Sequence, residues 1–290
     1  MINYIHMIVD GRKIAEEVLE ELEKEISSKN LKLRLAAVLV CPEGIEGLGL
    51  KKFVELKGKA AEKIGIDFEM YQFSENINTD KLKQELVKIS KKADGVLIEL
   101  PLPSHINSQE VLNQIPIEKD VDVLSDKAQA RFFEVQPRRL IEVKPQILPP
   151  AVEALKIVLE KYKINPKDKK VAVFGRGILI GKPISHWLEK QGAEVYKINS
   201  KTENPEEFSK KADIVVAGVG KPGIITGSMV KEGVVIVDFG YGKKDGQMVG
   251  DVDFDSVAVK ASLITPVPGG MGPILITAVI KNLVKLKMKI

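Results

Sequence analysis

The stretch from Val171 to Ser185, VAVFGRGILIGKPIS, limits the architecture of this chain more than any other. Four consecutive apolar residues, Val171 to Phe174, run into Gly175-Arg176-Gly177, and a helix-compatible segment opens at about Gly181. A parallel strand that turns into a helix over a phosphate has this form: one glycine permits the tight turn, another lets backbone approach the ligand, and the helix N-terminus faces the negative charge. The glycines are spaced G-x-G-x-x-x-G, one residue longer than the usual dinucleotide fingerprint. Spacing alone therefore leaves two readings open, a cofactor loop and an ordinary strand-to-helix turn.

A chain of 290 residues exceeds the usual size of one compact core, so two domains are expected. The net charge is only +4, and lysines are spread along helix-like segments such as Lys51-Lys52 and Lys91-Lys92. The lack of a dense basic block interleaved with aromatics argues against nucleic acid as the main partner. The single cysteine, Cys41, has no second thiol for a disulfide or a zinc site, which fits a reducing, cytoplasmic setting. Met1 to Val9 is apolar but contains Asn3 and His6 and ends at Asp10, so neither a signal segment nor a membrane span is expected.

Read in order, the chain alternates helices and strands. Gly11 to Lys29 places Ile14, Val18, Leu22 and Ile26 on one helical stripe. Strands are predicted at 35–40, 68–73 and 95–100, with helices at 50–64 and 79–91, the latter capped by Thr79. Leu124 to Pro149 has weak periodicity and several prolines and reads as a linker. A helix from Pro150 to Tyr162 precedes the opening motif, and strands follow at 194–198, 214–217, 234–238 and 262–264 before a last helix over 273–286. Such alternation implies an α/β fold with parallel sheets, whose ligand crevices lie outside the carboxyl ends of the strands. Cys41 to Leu50, Glu99 to His105 and Lys119 to Asp122 should then meet at one edge.

Candidate chemistry follows from that edge. The strand ending Tyr196-Lys197-Ile198-Asn199-Ser200-Lys201 lacks the acidic residue that would accept from the ribose of NAD, and offers Ser200, lysines and the nearby Arg176. A dinucleotide bound here would be NADP; a solvated basic loop is the alternative. Lys57 is one of five lysines on its helix, most of which should face solvent. Glu99 and Asp122 each follow a strand or turn at the presumed ligand edge, where an acid can equally be a loop anchor. Thr265-Pro266-Val267-Pro268-Gly269-Gly270-Met271-Gly272-Pro273 is stiff and poor in side chains, suited either to a flat ring approaching backbone or to an interdomain turn. His6, His105 and His186 have no metal-ligand spacing, and motifs of serine hydrolases, zinc proteases and P-loop enzymes are absent.

Together these stretches resemble the bifunctional methylenetetrahydrofolate dehydrogenase/cyclohydrolase family. Asp94 to Pro103 is similar to its D-G-[IV]-L-V-Q-L-P-L-P, Lys119 to Asp122 to K-D-V-D-G, Gly175 to Pro183 to G-R-S-x-x-V-G-x-P, and Ile264 to Pro273 to I-T-P-V-P-G-G-V-G-P. The resemblance implies an N-terminal α/β folate-binding domain, residues 1–148 completed by a helix over 272–290, and a C-terminal Rossmann-type NADP domain over 149–271. It implies oxidation of methylenetetrahydrofolate to the methenyl cation, hydrolysis of that cation to formyltetrahydrofolate, and a homodimer. By position Lys57 becomes the catalytic lysine and Asp122 the acid that holds the pterin. Gly175, Arg176, Gly177, Gly181 and Ser200 become cofactor contacts, with Arg176 and Ser200 at the 2′-phosphate. Pro268, Gly269 and Gly270 would line the folate and nicotinamide pocket.

Several positions depart from the family pattern. Phe53 replaces a tyrosine, Leu50 a serine, Glu99 the glutamine of Q-L-P-L-P, and Val123 the glycine after Asp122; Pro145 to Pro149 lacks the threonine of P-x-T-P. A carboxylate beside Lys57 favours its charged form, where glutamine does not, and proton-transfer help is worth roughly 10²–10⁴ in rate. Dehydrogenation is therefore expected to survive and hydrolysis to weaken, unless a rearranged Lys57 and Glu99 pair serves it. A monofunctional dehydrogenase on a modified pterin and a non-catalytic pterin or nucleotide binder are the competing expectations.

Overall fold

A computed structural model of the chain describes residues 7–41, 48–133, 147–244 and 246–288. The chain divides into two compact units. The N-terminal unit comprises Glu16–Pro150 with the chain from Ile276 onward, and the C-terminal unit comprises Ala151–Leu275 with the chain up to Ala15.

The first elements are β1 (Met7–Ile8), α1 (Gly11–Ser28), β2 (Arg34–Cys41), α2 (Leu48–Lys63), β3 (Asp67–Ser74), α3 (Thr79–Lys92), β4 (Gly95–Ile98), α4 (Ser108–Leu112) and α5 (Asp126–Phe132). In the N-terminal unit β2 is the central strand of a parallel sheet, flanked by β3 and β4. Seven of its eight residues are buried, as a strand covered on both faces requires. Val38, Val40, Leu82, Leu86, Val96 and Ile98 belong to one apolar cluster between this sheet and α3.

Three local expectations change. The buried stripe of α1 passes through Leu19 instead of Val18, along with Ile14, Ala15, Leu22 and Ile26. Helix α3 is capped by Asn78, not Thr79: the backbone of Asn78 is extended and its Oδ1 accepts from Lys81 N at 2.9 Å. The region read as a linker contains α5, seven residues long and too short to show periodicity, with Ser125 as its N-cap. Pro145 and Gln146 of the altered P-x-T-P stretch, and most of the loop from Cys41 to Gly49, lie outside the described residues.

The C-terminal unit begins with α6 (Pro150–Lys161) and continues through β5 (Lys170–Phe174), α7 (Gly181–Lys190), β6 (Glu194–Ile198), α8 (Pro205–Ser209), β7 (Ile214–Ala217), β8 (Val235–Asp238), β9 (Gly242–Lys244), β10 (Gln247–Val249), α9 (Phe254–Ala258) and β11 (Leu263–Ile264); α10 (Met271–Met288) follows and from Ile276 onward belongs to the N-terminal unit. Six parallel strands form its sheet in the order β6-β5-β7-β8-β11-β1, while β9 and β10 make a separate antiparallel hairpin that the sequence reading missed. Pairing of Met7 with Leu263 and Ile8 with Ile264 places β1 in this unit, although the sequence reading sets it in the domain spanning 1–148. Two residues are too few to read as a strand, and their partner is remote in sequence.

From β5 the chain passes to β6 on one side and then returns to β7 on the other, so the strand order reverses between β5 and β7. The glycines there have separable roles. Gly175 adopts φ +105°, a conformation that side chains resist, and a Cβ on it would lie 2.7 Å from the Gly218 carbonyl oxygen. A Cβ on Gly181 would collide with the Gly175 carbonyl, which seats α7 directly on the turn. Gly177 borders open space. Gly181→Ala is therefore expected to destabilise the protein by about 1–3 kcal/mol or more, and Gly177→Ala to stay within about 0.5 kcal/mol of wild type, as read by urea unfolding.

Candidate functional site

In the N-terminal unit the sequence-derived residues converge. Phe53 and Lys57 are one turn apart on α2 and share a face. Lys51, Lys52, Lys59 and Lys63 are exposed or half-buried, whereas Lys57 is only 7 % exposed, which distinguishes it from the other lysines of its helix. Its Nζ donates to Glu99 Oε2 at 2.6 Å and lies 4.8 Å from the centroid of the Phe53 ring. Glu99, also 7 % exposed, directly follows β4, and its backbone N donates to Val38 O at 2.9 Å. Removing two charges from water costs several kcal/mol per ion, so this pair persists because each partner satisfies the other and the ring faces the ammonium.

The turn carrying Asp122 is held from three directions. Val96 N donates to Lys119 O at 2.8 Å, and Lys119 Nζ donates to the carbonyls of Ser90 and Ala93 at the end of α3. Asp120, 1 % exposed, accepts from Leu124 N at 3.0 Å and Ser125 N at 2.8 Å. Asn282 on α10 donates to the carbonyls of Val121 and Leu148, both at 2.8 Å. Sequence reading did not single out Asp120 or Asn282; a lone amide within the apolar run of α10 was the available signal. Within this turn Val123 adopts φ +58°. A β-branched residue in the left-handed region costs about 1–2 kcal/mol, which accounts for glycine in the family pattern, and burial of the Val123 side chain offsets the cost here.

Asp122 as a whole residue is half-buried, but its carboxyl lies in desolvated surroundings that push it up to about 7. Lys57 opposes the rise, and the charges of Asp120 and Glu99 add to it. The cluster thus holds one cation among three acids, with a carboxyl near half-protonation at neutral pH.

The C-terminal unit assembles the other set. Gly175 N donates to Ile198 O at 2.9 Å, and Phe174 pairs with Ile198, so Arg176 and Ser200 leave adjacent strand ends and both are exposed. Ile180 gives α7 no side-chain cap, but in the first turn Lys182 N already donates to Gly177 O at 3.0 Å, Ile184 N donates to Ile180 O at 3.1 Å, and Pro183 has no N–H, so an anion here would rely on the glycine turn and the positive end of the helix. Ile178, Leu179, Val219 and Tyr241 are exposed apolar residues in the loops after β5, β7 and β8. An open glycine, an uncapped helix and an exposed guanidinium suit a dinucleotide with a 2′-phosphate. The loop Val219–Lys221 is an addition that sequence reading missed. Pro268, Gly269 and Gly270 also lie in this unit, after β11: Gly270 N donates to Pro266 O at 2.8 Å, and Gly11 N donates to Gly269 O at 2.9 Å. Among the described residues no group of three or more His, Cys, Asp or Glu could hold a metal ion, and no helix is long and apolar enough to cross a membrane.

Comparison with known proteins also finds two successive domains. The model of the tetrahydrofolate dehydrogenase/cyclohydrolase catalytic domain matches residues 9–122, and that of the NAD(P)-binding domain matches residues 149–290. The chain belongs to the tetrahydrofolate dehydrogenase/cyclohydrolase family. The bifunctional protein FolD of Mycoplasmopsis synoviae is 38% identical over 284 residues, spanning 96% of this chain and 99% of that protein. Among solved structures, FolD of Campylobacter jejuni superposes with a TM-score of 0.89 at 30% identity, covering 98% of this chain and 99% of its own. FolD of Trypanosoma brucei, solved with NADP cofactor and an inhibitor, gives 0.88 at 28% identity and covers 97% of each chain.

The raised Asp122 carboxyl has a thermodynamic sign. Between about pH 4 and pH 7 the folded protein holds a proton that the unfolded chain releases, so this group's contribution to stability is largest below its ordinary range and is lost as pH rises to about 7. Asp122→Asn removes that dependence. The unfolding free energy of the variant relative to wild type is expected to increase across this window in urea titrations, and a constant difference would contradict the desolvated setting.

Proposed function

We propose that the protein is an NADP-dependent methylenetetrahydrofolate dehydrogenase whose methenyltetrahydrofolate cyclohydrolase activity is weakened by Glu99. The observation that carries this reading is the buried contact of Lys57 with Glu99 beside Asp122, in a chain whose two halves match the catalytic and NAD(P)-binding domains of the family. When bound, the nicotinamide ring supplies the hydride acceptor. This chain's residues supply orientation and charge. Arg176 and Ser200 hold the 2′-phosphate, the start of α7 and its glycine turn take the diphosphate, and Asp122 offers a carboxyl to the pterin. Pro268, Gly269 and Gly270 border the ring systems.

Loss of hydride from the methylene bridge leaves a methenyl cation, and a negative charge at Glu99 suits that product. Hydrolysis then needs water to attack the cation and lose a proton. With its Nζ engaged by Glu99, Lys57 is not free to assist that water, and Phe53 offers no hydroxyl to relay the proton. The test follows NADPH and methenyl absorbance separately with methylenetetrahydrofolate and NADP. Glu99→Gln is expected to raise the cyclohydrolase rate by about 10²-fold or more; equal rates in wild type and variant would sink the explanation. NADPH formation is the result that supports the dehydrogenase, whereas tight binding without it would indicate a non-catalytic binder.

A homodimer and a cytoplasmic setting complete the proposal. β3 is an edge strand of the N-terminal sheet, eight residues long, with Phe68, Met70, Tyr71 and Phe73 only half-buried. Such an edge is a pairing surface for a second copy. Light scattering is expected to give twice the 32.0 kDa chain mass, and Tyr71→Pro on this edge to shift it toward the monomer.

A further inference from the structure

Two acids of the C-terminal unit have no part in the chemistry above. Asp238, the last residue of β8, is 2 % exposed, and Asp251, just after β10, is 0 % exposed. Burying two neighbouring carboxylates is costly unless each is satisfied, and burial pushes the Asp238 carboxyl up to about 6. Their places are built for them. A Cβ on Gly240 would collide with the Asp251 carboxyl, and one on Gly250 with the Asp238 carboxyl, so the two glycine–acid pairs interlock.

The hydrogen bonds form a relay toward the crevice. Asp238 accepts from Gly240 N at 2.7 Å, Asp251 N at 3.3 Å and Val252 N at 2.9 Å, which fixes the backbone on which Asp251 sits. The Asp251 carboxylate accepts from three successive backbone groups: Val219 N, Gly220 N at 3.2 Å and Lys221 N at 2.7 Å. These residues follow β7 at the point where strand order reverses. Gly218 N donates to Phe174 O at 3.0 Å, and the Gly218 carbonyl is what a Cβ on Gly175 would meet. Dinucleotides occupy this position in open parallel sheets.

We propose that Asp251, seated by Asp238, is a positioning residue for the cofactor: by holding three consecutive backbone N–H groups it sets the path of Val219–Lys221 along the dinucleotide crevice and so sets NADP affinity. The inference rests on NADP as the cofactor. An asparagine would keep the shape of Asp251 but turn an NH₂ group toward backbone donors. The carboxylate's two-oxygen grip on the loop is then lost.

Hydrogen exchange and calorimetry on the full chain test this. In Asp251→Asn, amide protection at Val219–Lys221 is expected to fall and the Kd for NADP to rise by about tenfold or more, with KM for NADP rising more than kcat falls. Gly220→Ala leaves the acids untouched. Its backbone has φ +76° and the nearest neighbour of an added Cβ is 3.7 Å away, so the variant disturbs only the loop and is expected to weaken NADP binding too. Should Asp251→Asn fail to fold, Gly220→Ala decides alone. Folded variants that bind NADP as tightly as wild type, whatever their stability, overturn the inference. Wild-type protein that binds no NADP overturns the cofactor reading and the inference with it. Wild-type protein that binds NADP but does not oxidise methylenetetrahydrofolate overturns the proposed reaction alone, and the Kd comparison still decides the role of Asp251.

Discussion

Parallel pairing sends every strand of a sheet out through the same edge, and the chemistry of this protein depends on that constraint. In the N-terminal unit it delivers Glu99 at the end of β4. In the C-terminal unit it delivers Gly175, Gly218 and Asp238 at or just beyond the ends of β5, β7 and β8. A helix start follows closely after β5, at Gly181, whereas β4, β7 and β8 exit into longer loops. One topological rule therefore places carboxylates and glycine-rich turns together without any of them being adjacent in sequence.

What the edge gathers, burial then tunes. At the surface a lysine and a glutamate would contribute little to each other. Lys57 and Glu99 are instead nearly enclosed, with a 2.6 Å contact and the Phe53 ring close to the ammonium. Removing either partner alone would leave a charge in a place that water hardly reaches. The departures from the family pattern at Phe53 and Glu99 are thus one arrangement: the ring replaces a polar neighbour of the lysine, and the carboxylate replaces a neutral one. Asp122 responds to the same field, since its carboxyl titrates near 7 with one cation and two further acids around it.

Sequence periodicity was sufficient for the long elements, because strands such as β2 and helices such as α3 carry their burial pattern in consecutive residues. The Lys57, Glu99 and Asp122 cluster was legible through motif order and not through spacing, since 42 residues separate the lysine from its partner. Short or distant pairings were not legible. β1 has two residues and a partner more than 250 positions away, α5 is shorter than two full helical turns, and the β9–β10 hairpin offers three residues per strand. Asp238 and Asp251 escaped notice for a different reason. Each stands within two residues of a glycine in an unremarkable strand-end context, and only the fold reveals that each glycine makes room for the other's acid.

Val123 connects these themes. Its left-handed backbone belongs to a turn whose following N–H groups converge on the buried Asp120 carboxylate, so the conformation is dictated by hydrogen bonding and not by the residue that adopts it. Glycine would fit that conformation without strain but would leave the apolar surface beneath it uncovered. Valine accepts the strain and fills the space, at 4 % exposure. The two contributions are of similar size, about 1–2 kcal/mol for the backbone against about 1.5–3 kcal/mol for the side chain. A position that looks like a defect against the family motif is therefore compatible with the same turn, and Asp122, its immediate neighbour, keeps the placement that the turn gives it.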